Sequence, residues 1–106
     1  MFNIIARRTL NEYARKYPEA KTALQKWYHE MAEADFKNFN ELKSAYGSAS
    51  VVGDDRAVFN LCGNKYRLVA RFNFQFKAVQ VKWFGTHKEY DKINVETIRH
   101  AKKKKP

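Results

Sequence analysis

Four side chains in the second half of this chain carry groups that could together cleave a phosphodiester. His87 and Tyr90 lie three residues apart in Thr86-His87-Lys88-Glu89-Tyr90-Asp91, and Lys65 and Arg67 alternate in Asn64-Lys65-Tyr66-Arg67. Histidine is the commonest general acid or base because its ordinary pKa lies near neutrality, and a tyrosine hydroxyl can donate or relay a proton. An arginine fork grips a phosphate with two parallel hydrogen bonds, and a nearby ammonium offsets the charge that builds on phosphorus. These are the parts of a metal-free RNA cleavage. A base takes the 2′-OH proton, the oxygen attacks the adjacent phosphorus, cations stabilise the phosphorane, and an acid protonates the leaving 5′ oxygen.

Each group also has a plain structural use. Thr86 and Glu89 have the spacing of a capping box, so Glu89 reads as a helix cap before it reads as a base. Tyr90 could equally be a core ring under a last short helix, and a single His in a polar turn is often only a hydrogen-bonding residue. Cys62 is the only cysteine; it reads as a small buried hydrophobe, and no intrachain disulfide can form. No metal-ligand cluster accompanies His29 or His100, and there is no glycine-rich phosphate loop, so neither a metal nor a cofactor is expected.

The charge distribution supports an anionic partner. Residues 1–55 hold eight Lys/Arg and eight Asp/Glu, whereas residues 56–106 hold thirteen against three, the whole of the net charge of +10. A surplus confined to one region makes a directional field, and nucleic acid is the commonest polyanion to answer it. That region has the period of strands. Ala57, Phe59 and Leu61 alternate with Val58, Asn60 and Cys62, and Gly63-Asn64 supplies a hairpin turn. Tyr66, Leu68, Ala70, Phe72, Phe74 and Phe76 then point one way. A third strand sets Val79, Val81 and Trp83 against Gln80, Lys82 and Phe84. The expectation is an open sheet face gathering Asn60, Lys65, Arg67, Arg71 and Lys82 around exposed rings.

The first half reads as helical. Phe2–Ala6 suits an opening strand, and Thr9-Leu10-Asn11-Glu12 suits a capping box that starts a helix running to about Tyr17. After Pro18, the recurrence of Ala20, Ala23, Leu24, Trp27, Tyr28 and Met31 predicts a second helix to about Ala34. Asn38–Tyr46 could hold one more turn with Phe39, Leu42 and Tyr46 inward, and Gly47–Asp55 reads as a flexible loop. With 106 residues, a single domain with one modest core is expected, with residues 102–106 a flexible basic tail. The Arg7-Arg8 pair follows the short apolar start, the reverse order of a signal peptide, and no run approaches membrane-span length, so a cytoplasmic location is expected.

The run Val58-Phe59-Asn60-Leu61-Cys62-Gly63-Asn64-Lys65-Tyr66-Arg67-Leu68, followed by Thr86-His87-Lys88-Glu89-Tyr90-Asp91, resembles the HigB family of toxins within the RelE-like group of bacterial toxin–antitoxin systems. The resemblance implies an α+β fold, a small antiparallel sheet packed against N-terminal helices. It implies an mRNA interferase, an endoribonuclease commonly acting on the ribosome. It also implies a HigA-like antitoxin with a helix-turn-helix domain, through which the complex binds operator DNA. Position by position, Asn60, Lys65 and Arg67 would bind substrate or stabilise phosphate, and His87 and Tyr90 would be the acid/base pair, with the identity of the base open. Lys82 and Arg71 have no place in the motif and join the RNA-binding set from strand alternation alone. Two other classes use the same basic face: a noncatalytic RNA-binding module, and a surface for an acidic protein partner.

Overall fold

The computed structural model of the chain describes residues 1–5 and 7–98. His100 and the Lys102–Pro106 tail lie outside them. In chain order the elements are β1 (Asn3–Ile5), α1 (Arg7–Lys16), a 3-10 turn (Pro18–Ala20), α2 (Lys21–Glu33), α3 (Phe39–Ala45), β2 (Ser50–Val52), β3 (Arg56–Leu61), β4 (Tyr66–Asn73), β5 (Ala78–Thr86) and α4 (His87–Tyr90). The five strands form one sheet in the order β1-β5-β4-β3-β2. Every neighbouring pair is antiparallel except β1 and β5, which run parallel.

The β3–β4 hairpin turns at Gly63 and Asn64, with φ values of 62° and 82°. Glycine has no Cβ to clash there and asparagine tolerates the left-handed region better than most residues, so the pair fixes the register that puts Asn60 opposite Arg67. One face of the sheet contributes Phe59, Leu68, Phe72, Val79, Val81 and Phe84 to the main core. Leu24, Trp27 and Met31 recur every three or four residues along α2 and cover that face, with Leu10 from α1 and Leu42 from α3. The Trp27 ring meets Phe59 edge-on at 5.5 Å between centroids. α3 forms where expected, started by Asn38, whose side chain accepts the Glu41 N–H.

Several expectations are corrected. α1 begins at Arg7, so Thr9 lies inside the helix and not at its cap. Ser50–Val52, within the stretch read as a loop, pairs with β3 as an edge strand. β4 ends at Asn73, and Phe76 sits in the following turn with 74% of its surface exposed. Cys62 is exposed, in the left-handed turn conformation at φ 54°, and is not a buried hydrophobe.

The largest correction is a β-bulge. Val69 pairs with Trp83 but Ala70 pairs with Val81, so Lys82 is the extra residue. One inserted residue inverts the alternation beyond it. Phe84, not Trp83, therefore joins Val79 and Val81 in the main core. Trp83 crosses to the opposite face with Val58 and Val69, where Tyr90, Ile93, Val95 and Ile98 pack over them. The face expected to be an open basic surface is a second, smaller core, roofed by the segment after α4.

Candidate active site

The end of the sheet where β4 begins and β5 ends carries the groups that could do chemistry. Thr86 caps α4: its Oγ1 accepts the Glu89 N–H at 3.1 Å, and Glu89 Oε1 accepts the Thr86 N–H at 2.9 Å. Both halves of the capping box expected from the sequence are therefore made. The His87 N–H donates to the Lys65 carbonyl at 3.1 Å, which ties the capped turn to the hairpin. Tyr17, at the end of α1, donates its hydroxyl to Glu89 Oε1 at 2.8 Å. Burial first, then this bond to a carboxylate, pushes the Tyr17 hydroxyl up to about 12, so it stays a donor at any working pH. The Thr86 N–H bond holds the Glu89 carboxyl below its usual range, as expected of an occupied cap acceptor.

Arg67 projects from β4 onto this corner. Its guanidinium carbon lies 4.8 Å from the centroid of Tyr90, and Tyr90 in turn packs on Trp83 at 6.2 Å. Its nearest polar partner is Asn64 Oδ1, 3.5 Å from Nη2, and its buried Nε has no hydrogen-bond acceptor. Among the described residues Arg67 makes no ion pair, whereas other cations nearby are matched. Arg56 pairs with Asp54, Arg71 with Asp54 and Asp55, and Lys65 with Glu19. A guanidinium seated on a ring and lacking a carboxylate keeps its fork for an incoming anion.

His87 is half-exposed, and its Nδ1 lies 3.6 Å from Asp91 Oδ2, one helical turn on. A carboxylate at that distance is too far for a hydrogen bond but near enough to bias the imidazole's orientation, and a histidine so placed could exchange a proton through Nε2. Lys65 lies beside His87 through the backbone, but its side chain leans toward the helices. Its Nζ is 2.8 Å from Glu19 Oε2, and the same oxygen accepts the Tyr66 hydroxyl at 2.8 Å. The bond from Lys65 holds the Glu19 carboxyl below its usual range, and the bond to Glu19 raises the Lys65 ammonium and pushes the Tyr66 hydroxyl up to about 12. A carboxyl whose pKa is lowered by folding stabilises the fold above its unfolded value and loses that stabilisation as the pH falls through the folded one. The Glu19 contacts therefore persist at neutral pH and disappear only in acid.

The other expected RNA-binding residues are spread apart. Asn60, opposite Arg67, donates its Nδ2 to the Ser48 carbonyl at 3.2 Å and lines a cavity of about 270 Å³ with Trp27, Tyr46 and Phe59. Arg71 is held at the far end of β4, donating Nε to the Asp54 carbonyl at 3.0 Å. Lys82 is the half-buried residue of the bulge. Sequence reasoning brought together Arg67, Tyr90, His87 and Lys65 but overlooked Tyr17, Glu19 and Asp91. Asp91 had a signal in its i,i+4 spacing from His87, whereas Tyr17 and Glu19 meet the site only through the fold. Among the described residues no group of three or more His, Cys, Asp and Glu is placed to hold a metal ion.

Gly85 is the tightest point of this corner. A Cβ there would come within 2.7 Å of the Trp83 ring and of Glu89 Oε1. Gly85→Ala must displace the Trp83 ring or the α4 cap, costing about 1–3 kcal/mol as overpacking does. Urea unfolding should show that loss together with reduced activity; unchanged stability would mean that the ring has room to yield.

A family model described as HigB toxin, the RelE-like toxic component of a toxin–antitoxin system, matches residues 20–93. The chain is 34% identical over 91 residues to the mRNA interferase toxin HigB of Escherichia coli strain K12, covering 84% of this chain and 88% of that one. The match to mRNA interferase HigB of Shigella flexneri has the same extent. The mRNA interferase HigB of Escherichia coli O6:H1 strain CFT073 is 33% identical over 93 residues, covering 86% of this chain and 90% of that one.

Proposed function

This chain belongs to the HigB family, the RelE-like toxic components of toxin–antitoxin systems, and on that premise we propose how its site works. The protein is an mRNA interferase, an endoribonuclease that is kept in check by an antitoxin partner. Its α+β sheet-and-helix fold is the RelE-like one. The observation that carries the mechanism is the unmatched Arg67 guanidinium on the Tyr90 ring, with the capped turn presenting His87 at the same corner.

Arg67 holds the scissile phosphate through its two terminal nitrogens and stabilises the charge of the phosphorane. Lys65 adds a second cation at the edge of the phosphate. His87, oriented by Asp91, and Tyr90 exchange the protons: one accepts from the 2′-OH and the other donates to the leaving 5′ oxygen. Asn60 lies one strand from Arg67 and contacts the RNA alongside it, while Lys82 and Arg71 add attraction rather than grip. No step requires a metal, since acid, base and cations all come from side chains. The message is met on the ribosome in the cytoplasm. Among the described residues no helix is long and apolar enough to cross a membrane. The antitoxin is HigA-like, and its helix-turn-helix domain would bring the complex to operator DNA.

The test uses a short RNA and a matched substrate carrying a single deoxy sugar at the cleavage point. Cleavage should persist in EDTA, give 2′,3′-cyclic or 3′-phosphate ends, and stop at the deoxy position. His87→Ala should lower the single-turnover rate about 100-fold, the scale of losing a positioned acid or base, with little change in binding. Cutting of the deoxy substrate would exclude the 2′-OH route. RNA binding by the wild-type protein without cleavage of either the short RNA or ribosome-bound message would favour a noncatalytic module.

A further inference from the structure

The corner between α1 and α2 touches both halves of the site, although it lies far from them in sequence. Tyr17 and Glu19 flank Pro18, whose ring fixes the backbone between them. On one side Tyr17 reaches Glu89, the carboxylate that caps α4 and so sets the turn bearing His87 and Tyr90. On the other side Glu19 takes the Lys65 ammonium and the Tyr66 hydroxyl on one oxygen. The two arms are joined by packing: the Tyr17 and Tyr66 rings meet edge-on at 5.2 Å, and both contact Phe84.

An exposed ion pair contributes little to stability. The Lys65–Glu19 pair is such a pair, with 62% and 50% of its side chains exposed. What it does is remove freedom from a side chain with four rotatable bonds. A flexible cation that must find a phosphate in each cycle costs rate, and one held near its working place does not. Glu19 is also a negative charge beside the path of a polyanion, which weakens RNA binding while it orients Lys65.

We infer that Tyr17 and Glu19 are positioning residues of the ribonuclease site: Glu19 holds Lys65 for the phosphate, and Tyr17 braces the capped turn that carries His87. This rests on the roles proposed above for Lys65 and His87. The two effects of Glu19 act in opposite directions, which gives it a signature that a purely structural residue lacks. Glu19→Gln keeps the shape and an acceptor oxygen but loses the charge. It should lower kcat roughly 5–10-fold by loosening Lys65, as small misplacements do, while KM stays level or falls.

The experiment is a single-turnover double-mutant cycle on a short RNA, combining Glu19→Gln with Lys65→Ala and Tyr17→Phe with His87→Ala. If Glu19 works through Lys65, Glu19→Gln should lower the rate at saturating RNA no further once Lys65 is alanine. Tyr17→Phe keeps the ring contacts and removes only the bond to Glu89. It should lower kcat severalfold without raising KM, and its effect should shrink in the His87→Ala background. Glu19→Asp should restore part of the Glu19→Gln loss. Additive losses, or a Glu19→Gln enzyme with raised kcat, would overturn the positioning role; the latter result would make Glu19 a brake on Lys65. Wild-type cleavage by Lys65→Ala would refute the proposed role of Lys65 and the Glu19 inference with it. Loss in Lys65→Ala with no loss in Glu19→Gln would refute the Glu19 inference alone.

Discussion

Arg67→Ala is expected to lose at least 100-fold in the single-turnover rate of RNA cleavage, the scale seen when a preorganised group facing transition-state charge is removed. The residue is suited to such an effect because no carboxylate among the described residues neutralises its charge. Its guanidinium rests 4.8 Å from the Tyr90 centroid and makes no ion pair among the described residues. For the same reason the fold should survive the change. A cation on a partly exposed ring is worth about 0.5–1 kcal/mol, so the urea midpoint should move little. Arg67→Lys restores charge without the planar fork and should recover only part of the rate. Growth arrest on expression of the variants offers a second readout of the same order. A soluble Arg67→Ala protein that cleaves at the wild-type rate would remove this residue from the reaction.

The second large effect falls on stability. Arg56 is only 3% exposed. Its Nη1 donates to the Val95 carbonyl at 3.0 Å and the Ile98 carbonyl at 2.6 Å, and its Nε lies 3.2 Å from Asp54 Oδ2. One side chain thus pins the segment that roofs the second core. Arg56→Ala leaves two part-buried backbone acceptors and a half-exposed carboxylate without their donor, and losing a buried arginine with such contacts costs about 1–3 kcal/mol. A loss at the upper end of that range, about 3 kcal/mol, is expected, or roughly 12–24 °C in Tm for a domain of this size. Amide exchange in residues 93–98 should rise before that of β4, because the roof detaches first. Cleavage should fall as well, since Tyr90 belongs to the same small core as Trp83 and Ile93. An unchanged melting temperature would show that Val95 and Ile98 hold the roof without the arginine.

Much of this was legible in the chain, and the failures have physical reasons. The capped turn at Thr86 was readable because a capping box is a local device, with both partners within three residues. The β3–β4 hairpin was readable because Gly63 and Asn64 advertise positive φ. The helical pair was readable because Leu24, Trp27 and Met31 keep one face. The bulge at Lys82 left no such trace. Val81-Lys82-Trp83-Phe84 fits plain alternation as well as it fits an inserted residue, and only cross-strand packing of Val69 on Trp83 decides between them. The error then propagated: with Trp83 misassigned, nothing asked Ile93, Val95 and Ile98 to cover a second face, and that face looked open. Of the candidate site, Arg67, His87 and Tyr90 were singled out by residue type and motif. Glu19 and Tyr17 were not, because a contact such as Tyr17 to Glu89, 72 residues apart, has no periodicity to betray it.

The same long-range closure decides when in its own synthesis the chain can complete its fold. β1 completes the sheet by pairing Asn3–Ile5 with Ala78–Gln80, and the corner at Tyr17 closes only on Glu89. A chain emerging amino-terminus first at about 5–20 residues per second therefore carries its first strand and its first brace unpartnered through most of its own synthesis. Chains abandoned before the last fifth hold Lys65 and Arg67 but no histidine turn for Tyr17 to grip. The sheet and the Tyr17–Glu89 corner can therefore close only near the end of translation, as a property of topology.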